Sequence, residues 1–185
     1  MAGSWSASSD VMVWVNDVFG LFVIISLLLA ACADIATRTI PNFIPAIVAG
    51  TGIIARVLAG PSALAVSTAA SVVLFASLLI LHGRGLLGGG DIKLIPATAL
   101  GFSVTSIYHF VFVTVMAGGV LAAIHLFARW LLRGRPPAAP PPRGSSLPRR
   151  VFSAERWRIA RHGSLPYGVA IACGGIWVII RQAGS

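Results

Sequence analysis

Several stretches of 16 or more residues in this chain carry no charged side chain at all, and that limits its fold more than any other feature. A soluble helix needs a polar face to meet water, and these stretches have none. Only 10% of the 185 residues are charged, where a soluble globular domain has about 25%. Mean hydropathy is +0.89. The missing polar faces argue against a very apolar soluble bundle. The expected fold is all-α: a polytopic membrane helical bundle with about six transmembrane helices, forming one domain over residues 1–185.

The apolar runs fall roughly at 18–36, 43–59, 62–82, 91–104, 106–130 and 166–181. Residues 1–17 form a tail before the first run. The connections are short except for 133–164, which contains RGRPPAAPPPRGSSLPRR. Its Pro and Arg content predicts an extended, basic loop.

Charge sets the orientation. If the first span runs inward, Arg38, Arg84, Lys93 and the nine Arg from Arg129 to Arg161 lie on the cytoplasmic side. Only Arg56 and Arg181 then lie outside. The reverse orientation violates the positive-inside rule. Six spans therefore put both termini outside, with residues 1–17 an outer tail and 133–164 a cytoplasmic loop. This topology accounts for the net charge of +9 without a nucleic-acid partner. The bilayer is the expected partner, and anionic lipid is a further candidate at the basic loop.

Cys32 and Cys173 sit in apolar runs with no CxxC, so neither a zinc knuckle nor a redox pair is indicated. They read as small buried residues. His82, His109, His125 and His162 show no ligand spacing, and no metal or cofactor is assigned.

The chain has five acidic residues. Asp10 and Asp17 lie in the tail and Glu155 in the basic loop. Only Asp34, in ACADIATRTIPN, and Asp91, in GGGDIKL, stand at membrane depth. An ionisable group there is costly and marks a candidate functional site. Asp34 closes the first span, two spans go out and back, and Asp91 opens the fourth on the same face. If the two converge, they can share one proton. The ionised member can then take a proton from water while the protonated one polarises a carbonyl. The plainer alternatives are a helical ion pair of Asp34 with Arg38, and a capping or Lys93-pairing role for Asp91. Gly88, Gly89 and Gly90 permit positive φ and close approach of another backbone. Pro41 and Pro45, bracketing Asn42, fit a break between the first two spans.

These residues resemble the type IV prepilin peptidases, the GxGD aspartyl proteases of bacterial membranes. Asp34 followed by Arg38, Ile40, Pro41 and Asn42 is similar to that family's first motif. Gly88, Gly90, Asp91, Lys93 and Leu94 are similar to its second, and Pro166, Tyr167, Gly168, Ala170 and Ile171 resemble its final-span signature. The resemblance implies that Asp34 and Asp91 are catalytic, with Arg38, Pro41, Asn42, Gly88, Gly90 and Lys93 binding substrate or shaping the site. It implies a multi-pass protein of the bacterial inner membrane. The substrate would be a prepilin or pseudopilin precursor whose short basic leader is cut at the cytoplasmic face. The chain lacks the cysteine-bearing insertion of the long bifunctional members. It is similar to the short form found with tight-adherence (Flp) pilus systems, without N-methyltransferase activity. Two rival functions differ in class: a small proton- or ion-coupled transporter, and an inactive scaffold for pilus assembly.

Overall fold

The structure, a computed structural model, describes residues 3–85, 87–132 and 165–184, and the side chains of residues 18–85, 87–131 and 165–184. The basic segment 133–164 lies outside the described residues. Six helices follow in order: α1 Gly3–Thr37, α2 Phe43–Leu58, α3 Pro61–Gly83, α4 Asp91–Leu100, α5 Val104–Leu132 and α6 Tyr167–Ala183. No strand occurs among the described residues.

The helices form where apolar runs leave the backbone no hydrogen-bond partner but itself. They stop where that run meets a breaker. Pro41 stands between α1 and α2. Gly60, at φ 112°, turns the chain into Pro61 at the start of α3. Glycines fill the α3–α4 connection, and Gly101 ends α4. Two boundaries differ from the sequence expectation. The first helix begins at Gly3, so residues 3–17 continue it as helix. The fourth stops at Leu100 instead of 104, and α5 starts afresh at Val104.

Three segments are long and apolar enough to cross a membrane: Val18–Thr37, Pro61–Gly83 and Val104–Leu131. The helices α2 and α6 are apolar but shorter, at 16 and 17 residues. Large apolar side chains such as Val73, Ile80, Val120, Ile124 and Phe127 point outward, as they do when lipid is the solvent. Cys32 and Cys173 are also exposed, which corrects the expectation that both are buried. A helix that is apolar all round carries no stripe to say which face meets protein and which meets lipid.

The bundle forms two rows of three. In one row α6 packs between α1 and α5; in the other α4 packs between α2 and α3. The two middle helices touch. Eight of the ten residues of α4 are buried, from Asp91 to Ala99, so this short helix is enclosed on nearly every side. Small residues allow it. A Cβ on Gly52 of α2 would lie 2.8 Å from the Gly101 nitrogen, so α2 and the end of α4 meet backbone to backbone. Leu27 and Ala30 of α1, Val48 of α2, Leu94 of α4, Phe110 of α5 and Ile171 of α6 fill the space between the rows.

Several hydroxyls inside the bundle find carbonyl partners, while the buried Ser71 Oγ and Thr114 Oγ1 have none among the described residues. Ser26, Thr51 and Thr98 donate to carbonyls one turn back, at 2.8–2.9 Å. Ser67 crosses from α3 to donate to the Phe102 carbonyl at 2.9 Å.

Candidate active site

The two middle helices begin at the same end of the bundle, and the site forms there. Asp91 is the first residue of α4, and Tyr167 and Gly168 open α6. The neighbouring α1 ends at this level, three residues beyond Asp34.

Asp34 sits in the last turn of α1 and is 6% exposed. The helix ends because Arg38 turns left-handed, at φ 58°, the single non-glycine residue with positive φ among those described. Such a conformation costs a side-chain-bearing residue about 1–2 kcal/mol. The Arg38 N–H still donates to the Asp34 carbonyl at 2.9 Å, closing the final turn. Thr37 closes it again through Oγ1, which donates to the Ala33 carbonyl at 2.9 Å. Beyond the turn, Ile40 is buried and Pro41 and Asn42 are exposed.

Asp91 is 8% exposed, and its Oδ2 accepts the Gly88 N–H at 3.3 Å. The carboxyl thus turns back over the glycine loop. A Cβ on Gly88 would lie 2.9 Å from that same Oδ2, and one on Gly90 would lie 2.9 Å from the Ile40 Cβ. Neither glycine has positive φ; the positive values fall on Gly60 and Gly85. Gly88 and Gly90 therefore serve close approach, and the conformational freedom expected of them is not used.

Asp34 and Asp91 are brought together. Each carboxyl is buried at the same end of the bundle, and a repulsive charge interaction couples them. Asp34 Oδ2 also accepts the Gly168 N–H at 2.7 Å. Tyr167 lies near enough to Asp91 to interact with it electrostatically. Its ring fills the space above Gly118 of α5, where an added Cβ would stand 2.7 Å from the hydroxyl oxygen.

The other sequence-derived residues form a rim. Lys93 Nζ donates to Asn42 Oδ1 at 3.0 Å, which ties α4 to the start of α2. Asn42 accordingly makes no capping bond to α2. The Pro41 carbonyl accepts the Ile44 N–H at 3.1 Å and begins the turn. Arg38 is half-buried. His82, at the end of α3, bonds through Nδ1 to the Leu87 carbonyl at 2.8 Å and holds the glycine loop.

A membrane-embedded helical bundle with two coupled, buried carboxyls at one end defines the class. A sequence model of the type IV leader peptidase family matches residues 21–123, more than half the chain and the stretch that holds both aspartates. The chain belongs to that family and is a leader peptidase of the membrane. No curated protein and no solved structure matches it.

Proposed function

We propose that Asp34 and Asp91 are the catalytic pair of an aspartic endopeptidase that removes the short basic leader from type IV, Flp-like prepilins or pseudopilins. The observation that carries the reading is the convergence of the only two acids in the apolar spans. They are buried at one end of the bundle, coupled in charge, and each is held by a glycine N–H.

The chemistry follows from that pairing. Two buried carboxyls that repel one another when ionised favour a shared proton. The ionised carboxylate takes a proton from water, and the water oxygen attacks the scissile carbonyl carbon. The protonated partner donates to the carbonyl oxygen as it becomes tetrahedral. Collapse of that intermediate breaks the C–N bond, and the departing amine takes a proton from the pair. The glycine loop supports the reading because the Gly88 N–H holds the Asp91 carboxyl and no side chain at that position crowds its Oδ2.

The distribution of basic residues along the sequence supports a topology with this end of the bundle at the cytoplasmic face of the bacterial inner membrane and both termini outside. Arg38, Pro41, Asn42, Gly88, Gly90 and Lys93 line or brace the entrance. The chain cleaves without methylating the new N-terminus. Anionic lipid is the further partner that the Arg-rich sequence of 133–164 suits. Co-expression with an Flp-like prepilin tests the reading. Mass spectrometry should find the mature N-terminus, unmethylated, with the wild-type chain. The uncut precursor alone would contradict it.

A further inference from the structure

We propose that Gly168 is a positioning residue for Asp34: its backbone N–H holds the Asp34 carboxyl in the orientation that reacts, and its missing side chain lets α6 approach closely enough to do so. The proposal rests on the reading of Asp34 and Asp91 as the catalytic pair.

Gly168 is the second residue of α6, and the N–H groups of a first turn have no partner inside their own helix. Around it the donors are accounted for. Tyr167 donates to the Leu165 carbonyl at 2.9 Å and Val169 to the Pro166 carbonyl at 3.2 Å. Gly168 instead donates to a carboxylate 134 residues away, at 2.7 Å and in a buried setting. This is a helix cap supplied by another helix. A short bond from an amide to a carboxylate is among the stronger hydrogen bonds in proteins, and it fixes the plane of the carboxyl.

The packing is specific to glycine. A Cβ at position 168 would lie 2.9 Å from the Asp34 Cβ, 3.0 Å from Oδ2 and 3.3 Å from Cγ. The first of these contacts is with the root of the side chain, which cannot move unless α1 moves. Any larger residue therefore separates α6 from α1 and lengthens the bond. The first turn is held in place from the other side by Tyr167, seated over Gly118 of α5. Pro166, Tyr167 and Gly168 lie outside residues 21–123, so the site is completed by a segment that the family match does not reach.

The test uses the full chain in nanodiscs with a prepilin that the wild-type protein cleaves. Cell-free translation with glycolic acid in place of Gly168 turns that one amide into an ester. It removes the N–H and adds no atoms. The proposal expects kcat to fall at least about tenfold while KM stays within about twofold, the range for one hydrogen bond to a charged group. It also expects a shift in the isotope-edited infrared band of the Asp34 carboxyl, which a change in general stability would not produce. Gly168→Ala should lose more activity than the ester, because it adds the clash. An ester variant with wild-type kcat and an unmoved Asp34 band overturns the proposal, provided Asp34→Asn is inactive. Wild-type cleavage by Asp34→Asn overturns instead the catalytic reading on which it rests.

Discussion

Ile40 occupies the volume that a side chain on Gly90 would need: a Cβ there would lie 2.9 Å from the Ile40 Cβ and 3.2 Å from its Cγ1. Ile40 is buried and lies just past the left-handed turn at Arg38. The contact therefore lays the α1–α2 connection against the entry to α4. One glycine sets the spacing between the segment that follows Asp34 and the helix that begins with Asp91.

Gly90→Ala should accordingly separate the two aspartates. Overpacking of this kind costs about 1–3 kcal/mol of stability. Cleavage of a co-expressed prepilin should fall at least about tenfold, because misplacement near 1 Å suffices for larger losses. Adding Ile40→Ala to Gly90→Ala should recover part of both losses. A double-mutant cycle in activity and thermal inactivation reads the coupling; strict additivity would contradict the contact.

Lys93 and Asn42 act as one unit if their bond positions the rim. Asn42→Ala and Lys93→Met should each slow cleavage modestly, by about two- to tenfold, as expected for one hydrogen bond. The double variant should be no slower than the slower single variant. Initial rates in nanodiscs measure this.

Ser67→Ala separates stability from catalysis. Its hydroxyl meets the Phe102 carbonyl inside the bundle, at the far end of α4 from Asp91. Its loss should lower stability by about 0.6–2 kcal/mol, the range for such bonds between membrane helices. Cleavage at saturating substrate should not change. Unfolding in mixed detergent, run beside the cleavage assay, checks both statements.

Cys32→Ala and Cys173→Ala should each leave activity intact and stability within about 0.5 kcal/mol, since both side chains face outward. Together they yield a cysteine-free background for site-specific labelling. A clear loss of stability in either would contradict the outward placement.

Much of this arrangement is legible in the sequence, for identifiable reasons. Helix positions follow from apolar runs interrupted by Pro41, Gly60–Pro61 and the glycines before Asp91. Asp34 and Asp91 stand out because ionised groups are so costly inside a bilayer. What hydropathy misses is orientation. Cys32 and Cys173 look buried because lipid and protein interior select the same side chains. Gly88 and Gly90 suggest positive φ, but proximity to Asp91 and Ile40 is what they provide. The break at Gly101 is hidden because apolar residues continue across it. Gly168 matches a family signature, yet its link to Asp34 is out of reach of sequence: the donor is a backbone amide, and its partner lies on another helix.

The central claim is that Asp34 and Asp91 together cut the precursor, and one measurement addresses it most directly. Wild type, Asp34→Asn and Asp91→Asn are each co-expressed with an Flp-like prepilin, membrane insertion of each is verified, and the pilin N-terminus is determined by mass spectrometry. The account predicts leader removal by wild type and intact precursor with both variants. A mature N-terminus produced by either variant at the wild-type level would contradict it.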